Sequence, residues 1–384
     1  MSINDRWQMP AQRVVDLESS SLRPLTLFPP RTLPLIAGDP DFATPAHIVA
    51  AMTTALEEGY THYVDYAGDA RLRELIAERL ALKVGHPVSS SDVLMTHGSS
   101  AALAASMLAV LNPNDRVVIP EPTYSLYADI VRMAGAEPVL VRQTADFHLD
   151  LDALAAAMPG ARMVVICHPS NPTGVVYRRE ELEALAELAE ANDALIVSDE
   201  AYDHLIYEGR QFISSLDVER LRTRLIYCQT FSKTYAMTGW RIGYLFAPRW
   251  VVVAADRIHR TINGCLNAAV QRAAISALTG PDDWMAAMLD EYTARRELVI
   301  SSLGECQTLA FQAPEATFYA FVGSSTGRSS DELTAAALRQ GVAVRPGNEF
   351  GPSGEGFIRI TFTLARQQLE QALARLKTAV SSLE

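Results

Sequence analysis

Four short stretches of this chain carry polar residues in combinations that can do chemistry. The first is Thr230-Phe231-Ser232-Lys233, followed eight positions on by Arg241 within Met237-Thr238-Gly239-Trp240-Arg241-Ile242-Gly243-Tyr244. A lysine among small and apolar neighbours, with a second cation nearby, is placed to lose its proton and serve as an amine nucleophile or base. Solvated surface charge is the plainer reading. The second stretch is Ser198-Asp199-Glu200-Ala201-Tyr202. An aspartate at the end of an apolar strand must find a cation or donors, or else caps a helix. The third, Cys167-His168-Pro169-Ser170-Asn171-Pro172-Thr173-Gly174, has two prolines and a glycine that impose a rigid turn. Asn171 there is either a turn residue or an aimed amide. The fourth, Thr96-His97-Gly98-Ser99-Ser100, opens a helix whose first N–H groups and dipole suit an anion. An ordinary helix cap has the same composition.

Each stretch follows a short apolar run. Val93-Leu94-Met95 precedes a helix near 99–111, and Arg116-Val117-Val118-Ile119 precedes one near 124–134. Pro138-Val139-Leu140-Val141 comes next, and Met163-Val164-Val165-Ile166 leads to a helix over about 179–191. Ala194-Leu195-Ile196-Val197 and Leu225-Ile226-Tyr227 complete the series. Continuous apolar strands separated by helices predict a parallel α/β sheet covered on both faces. Ligands of such sheets bind at the carboxyl ends of the strands, where all four stretches fall. Upstream, Thr44 is the expected N-cap of a helix with Pro45 first and Gly59 just past its end. A second helix over Asp69–Val84 carries a stripe of Leu72, Leu75, Ile76, Arg79 and Leu80. Downstream, a long helix over Asp283–Leu303 leads into strands at 318–322, 342–344 and 357–360, a helix near 331–340 and a last helix from Arg366. That pattern predicts a smaller α+β unit. Pro24, Pro29, Pro30 and Pro34 make the first 40 residues an irregular arm.

The 384 residues carry 33 basic and 45 acidic side chains, a net charge of −12, with no dense Lys/Arg run. This argues against nucleic acid and anionic membranes as partners, yet leaves room for a small anion held by one or two arginines. Cys167, Cys228, Cys265 and Cys306 form no CxxC pair, so free thiols and a cytoplasmic protein are expected, with no metal. Met1 to Gln12 contains Asp5, Arg6, Trp7 and Gln8 and no apolar h-region, so no signal peptide is expected. The longest apolar candidate, Trp250 to Ala255, is too short to span a membrane.

An amine, an acid, an amide, a tyrosine and an anion cup on one sheet edge form the set that pyridoxal phosphate needs. The chain resembles the class I/II aminotransferases, pyridoxal-phosphate enzymes of the aspartate aminotransferase fold. The resemblance rests on the order and spacing of Gly38-Asp39-Pro40-Asp41-Phe42, Tyr60-Thr61-His62-Tyr63, Pro122-Thr123-Tyr124 and Ser170-Asn171-Pro172-Thr173-Gly174. Ser198-Asp199-Glu200, Ser232-Lys233, Gly239-Trp240-Arg241-Ile242-Gly243, Pro346-Gly347 and Arg359 continue it. It implies PLP-dependent transferase fold type I, with a mostly parallel seven-stranded sheet and a smaller α+β domain. Residues 1–45 would form an N-terminal arm and part of the small domain, 46–280 the large PLP-binding domain and 281–384 the small C-terminal domain. It further implies that Lys233 binds the cofactor aldehyde and then moves the substrate proton. Asp199 would pair with the ring nitrogen, Tyr202 and Asn171 would reach the phenolic oxygen, and Tyr124 would stack on the ring. Ser99, Ser100, Thr230, Ser232 and Arg241 would hold the phosphate, joined by Tyr63 from the neighbouring subunit of a homodimer. The Gly38 backbone, Asn171 and Arg359 would bind the substrate α-carboxylate.

The activity so implied is exchange of an amino group between an L-amino acid and a 2-oxo acid in a ping-pong cycle. β-Elimination, cyclisation or decarboxylation on the same scaffold needs the same lysine and aspartate and is the alternative. A non-catalytic sensor on this fold would carry an N-terminal winged-helix domain, for which the arm leaves no room. Bacterial aspartate-specific relatives carry a lysine about where Ser100 stands. A neutral or aromatic side chain is therefore expected in at least one half-reaction, with Arg345 the likeliest residue to reverse that expectation.

Overall fold

A computed structural model describes residues 11–15, 17, 28–207 and 209–383. The expectations for Asp5–Gln8 and for Pro24 fall outside these residues. The larger layer is a seven-stranded sheet in the order Val93–Thr96, Gly243–Phe246, Leu225–Thr230, Leu195–Asp199, Ala161–Cys167, Arg116–Glu121, Glu137–Arg142. Gly243–Phe246 is antiparallel to both neighbours, and the pairings among the five strands from Leu225–Thr230 to Glu137–Arg142 are parallel. The central strands are buried on both faces, which is why they read as unbroken apolar runs. One face packs on Leu72, Ile76, Leu80 and Leu182, the other on Leu103, Met107, Val251 and Val252. The helix Ala70–Val84 starts where the Asp69 carboxylate accepts from the Leu72 N–H at 3.1 Å, and stops at Gly85 with φ +75°.

A second, four-stranded antiparallel sheet has the order Arg345–Pro346, Phe357–Thr361, Tyr319–Ser324, Leu309–Phe311. The helices Asp283–Gly304, Ser330–Arg339 and Arg366–Ser381 pack with it around Tyr292, Phe318, Ile358 and Leu373. Leu33–Pro34 pairs in parallel with Val342–Ala343, so the segment before the large sheet joins the unit after it. Leu35 enters that unit's core, as do Ala201 and Tyr202, which follow the strand Leu195–Asp199.

Several local expectations need correction. Thr44 does not cap the helix Ala46–Glu57: Pro45 occupies the cap position, and the Thr44 hydroxyl donates to the Ala236 carbonyl at 2.6 Å. A tertiary partner has captured the group that local capping would use. The run Trp250 to Ala255 lies in the amphipathic helix Arg249–Asn263, with Val251, Val252, Ala255 and His259 buried. No helix among the described residues is long and apolar enough to cross a membrane.

Candidate active site

The carboxyl ends of the large sheet's strands and the edge of the small sheet enclose a cavity of about 520 Å³. Its floor is Asp199, the last residue of Leu195–Asp199, and Cys167, the last of Ala161–Cys167. Lys233 enters from the turn after Leu225–Thr230, and its Nζ donates to the Gly38 carbonyl. Opposite, the helix Ser99–Val110 points its N-terminus inward, with Ser99 and Ser100 lining the wall. Thr230, Ser232 and Arg241 converge on the same end. The Thr230 hydroxyl donates to Ser232 Oγ at 2.8 Å and accepts the Ser232 N–H at 3.1 Å. Gly98, at φ +78°, is required here, because a Cβ would lie 2.8 Å from Arg241 Nη2. Small residues, helix N–H groups and one guanidinium thus form a cup for a dianion.

The other end is built for a carboxylate. Arg359, 6 % exposed, donates from Nη1 to Asn171 Oδ1 at 3.1 Å and from Nη2 to the Ile36 carbonyl at 2.5 Å. Its guanidinium lies 4.4 Å above the Tyr319 ring and 4.9 Å from that of Phe350. Tyr202 and Tyr319 share a hydroxyl–hydroxyl bond of 2.8 Å. Tyr124 meets Tyr127 edge-on, with ring centres 5.8 Å apart. The cavity therefore gathers Gly38, Asn171, Lys233, Arg359 and the rest of the residues proposed from sequence, with one exception. Tyr63 is 97 % exposed and lines no part of it.

Burial governs the charges. Asp199 is pushed up to about 6 by desolvation, opposed by the Tyr127 hydroxyl, by the nearby Ala201 N–H and by the charge of Lys233. The Tyr127 hydroxyl donates to Asp199 Oδ2 at 2.9 Å. Oδ1 of the same carboxylate is buried and has no hydrogen-bond partner among the described residues, and neither has Nε of Arg359. Each is a strong group left for something the chamber receives. Burial also lowers the Arg359 guanidinium, with Arg345 adding repulsion, and raises the Tyr202 phenol, reinforced by Tyr319. An unpartnered acid oxygen, a lysine amine, a dianion cup and a separate guanidinium suit one ligand with a ring cation, an electrophilic carbon and a phosphate, beside a second ligand with a carboxylate.

Sequence reasoning passed over Tyr127, Tyr319 and Phe350, which line the chamber together with Arg345, named from sequence only as a possible second cation. Tyr127 stands one helical step beyond the Pro122-Thr123-Tyr124 motif, a signal that could have found it. The others depend on the register of the small sheet and had no local signature.

Comparison with known proteins places these features in context. A family model described as aminotransferase class I and II matches residues 30–376. An aspartate aminotransferase of Pyrococcus horikoshii is 34 % identical over 96 % of this chain and 97 % of its own. An aromatic-amino-acid aminotransferase of Thermococcus litoralis is 36 % identical over 88 % of this chain and 89 % of its own. The crystal structure of an aromatic aminotransferase from Pyrococcus horikoshii superposes with a TM-score of 0.88 at 34 % identity, covering 92 % of this chain and 96 % of that one.

Proposed function

The chain belongs to the class I and II aminotransferases, and from that premise we propose a division of labour among its cavity residues. The enzyme moves an amino group between an amino acid and a 2-oxo acid and depends on pyridoxal phosphate. The cofactor, when bound, supplies an aldehyde for the amine and a ring that accepts the electron pair left at the substrate Cα.

The remaining work falls to side chains. Ser99, Ser100, Thr230, Ser232 and Arg241 would hold the phosphate, and Asp199 would keep the ring nitrogen protonated through a charge-assisted bond. Tyr202 and Asn171 would reach the phenolic oxygen, and Tyr124 would lie against the ring. Arg359 fixes the substrate α-carboxylate with its planar fork, aided by Asn171 and the Gly38 backbone. This would set the Cα–H bond of the substrate against Lys233, whose Nζ would act as the base that takes the Cα proton and holds it for return. The observation that carries the reading is the buried Asp199 Oδ1 without a partner, in the same chamber as Lys233 and the helix Ser99–Val110.

The division into a large domain at 46–280 and a small one at 281–384, with residues 1–45 contributing an arm, belongs to the same proposal. The pairing of Leu33–Pro34 with Val342–Ala343 supports it. A homodimer in which Tyr63 would serve the neighbouring site is also part of the proposal; the exposed apolar side chains of Tyr63, Tyr66 and Ile262, 97 %, 47 % and 65 % exposed, are consistent with burial against a second copy. Four free cysteines suit a reducing compartment, and we assign the enzyme to the cytoplasm.

The test is to add single amino acids to purified holoenzyme, follow loss of the cofactor's visible absorbance, and restore it with a 2-oxo acid. The same cycle is then run with Lys233→Ala. Undiminished multiple turnover by that variant overturns the assignment of Lys233.

A further inference from the structure

The edge strand Arg345–Pro346 pairs antiparallel with Phe357–Thr361 so that Arg345 stands directly opposite Arg359. Directly opposed residues project from the same face of a sheet, with Cβ atoms about 5 Å apart. Both arginines line the chamber. Two guanidinium groups so placed repel each other; Tyr319 and Phe350 in the wall beside them carry no charge, and the counter-charge that both arginines feel is that of Glu349. Arg359 is accounted for by the α-carboxylate. Arg345 has no role in holding the phosphate, which lies with Arg241 and the helix Ser99–Val110.

Arg345 is nonetheless held in place. Its side chain is 15 % exposed and its Nε is ion-paired with Glu349, four residues on and 12 % exposed. Glu349 is not part of the chamber wall, whereas Arg345 is. Glu349 thus holds Arg345 through its Nε from outside the lining, leaving the rest of the guanidinium's donors to the chamber that Arg345 lines. A carboxylate arriving from the chamber side would meet two arginines from one sheet face, one for each end of a short diacid.

We propose that Arg345 binds the side-chain carboxylate of a dicarboxylic amino acid and of its 2-oxo acid, with Glu349 as the residue that positions it. This reverses the expectation drawn from Ser100: the second cation comes from the small sheet, not from the phosphate loop. The proposal rests on the aminotransferase reading of the cavity. A site that provides a bidentate partner for a substrate group discriminates strongly against substrates lacking it, whereas a purely structural ion pair would affect every substrate alike.

The experiment compares holoenzyme with Arg345→Gln and Arg345→Lys. The readout is the ratio of kcat/KM for glutamate and aspartate to that for alanine, leucine and phenylalanine, in the amino-donor half-reaction. Binding of maleate and of propionate, followed by the cofactor's absorbance, gives a second measure free of turnover. Wild type is expected to favour the diacids by about 100-fold or more, and Arg345→Gln to lower that ratio by about 100-fold. Maleate affinity should fall in parallel while propionate changes little. Arg345→Lys keeps the charge that Glu349 needs, so it folds even if the glutamine variant does not, and its ratio should fall about tenfold. A wild type without diacid preference overturns the proposal, as does a loss in either variant that is equal for glutamate and alanine. In both cases turnover of alanine shows that the aminotransferase reading itself still stands.

Discussion

Tyr127→Phe removes one oxygen from the floor of the cavity and should change the proton count of the whole site. The Tyr127 hydroxyl is fully buried and donates to Asp199 Oδ2 at 2.9 Å. A hydrogen bond to a charged acceptor contributes about 1.5–3 kcal/mol. At about 1.4 kcal/mol per pKa unit, its loss should raise the carboxyl by roughly 1–2 units. Asp199 already stands at about 6 because of burial. The variant would therefore titrate near roughly 7–8, and at neutral pH the apo-protein would change from mostly ionised to mostly protonated at this position. The loaded site needs the carboxylate ionised against the ring nitrogen, so reconstitution must expel that proton. Calorimetry of cofactor binding at pH 7, in buffers of different ionisation enthalpy, counts it. Tyr127→Phe should release about half a proton more than wild type, and the excess should vanish well above the new titration point. The phenylalanine ring fills the same space, so the apo-protein should melt close to wild type. Equal proton release by the two proteins at pH 7 would refute the argument that Tyr127 sets the charge of Asp199.

Other expectations follow from the same geometry. In Gly38→Ala the new Cβ would lie 1.9 Å from Tyr319 Oη, so the ring must move and the 2.8 Å bond to Tyr202 must break. Turnover should fall at least about tenfold with a stability loss of about 1–3 kcal/mol, read from kcat and thermal melts, and an active, equally stable variant would contradict the packing described. Because burial raises Asp199 to about 6, its folded form binds the proton more tightly than the unfolded chain does, so apo-protein stability should decline as pH rises from about 4 to about 6. Asp199→Asn should remove that part of the slope, by about 3 kcal/mol across the window, leaving the part from Glu200, which burial pushes up to about 7. Hybrid dimers of Tyr63→Phe with Lys233→Ala should recover activity beyond either parent, since one site then carries both lesions and the other neither; no recovery would place Tyr63 away from the neighbour's site.

Much of the site was legible because strand ends are marked twice in the sequence, by an apolar run and by the polar residues that follow. Asp199, Lys233 and Ser99 each stand at such a junction, and the parallel sheet brings the junctions together. The strand Gly243–Phe246 escaped notice because it is short, runs against its neighbours and overlaps the Arg241 motif. The helix Arg249–Asn263 escaped because its apolar residues are interleaved with Arg249, Asp256, Arg257 and Arg260. Thr44 has the composition of a cap, but its hydroxyl is committed to Ala236, 192 residues away. Arg345 and Arg359 are neighbours only through strand register, which neither local segment encodes. Tyr63 stands on the surface, away from the chamber, so the residues around it in this chain give its motif no role.

The parallel pairing of Leu33 with Val342 has a consequence for synthesis. Leu35 accepts from the Thr361 N–H at 3.0 Å, and the Ile36 and Ala37 carbonyls take bonds from Arg359 and Thr363. A segment made among the first 40 residues therefore finds the last of its partners only when the ribosome has passed residue 363. Until then the seven-stranded sheet can form from contiguous chain, with Lys233 and Asp199 in place, while the segment bearing Gly38 has only its contacts with Lys233 and Thr238 to dock on. Closure across so long a separation is slow compared with local folding. A nascent chain arrested before Val342 would thus carry Asp199 and Lys233 without Arg345 and Arg359, and the last strands to emerge are the ones that complete the chamber.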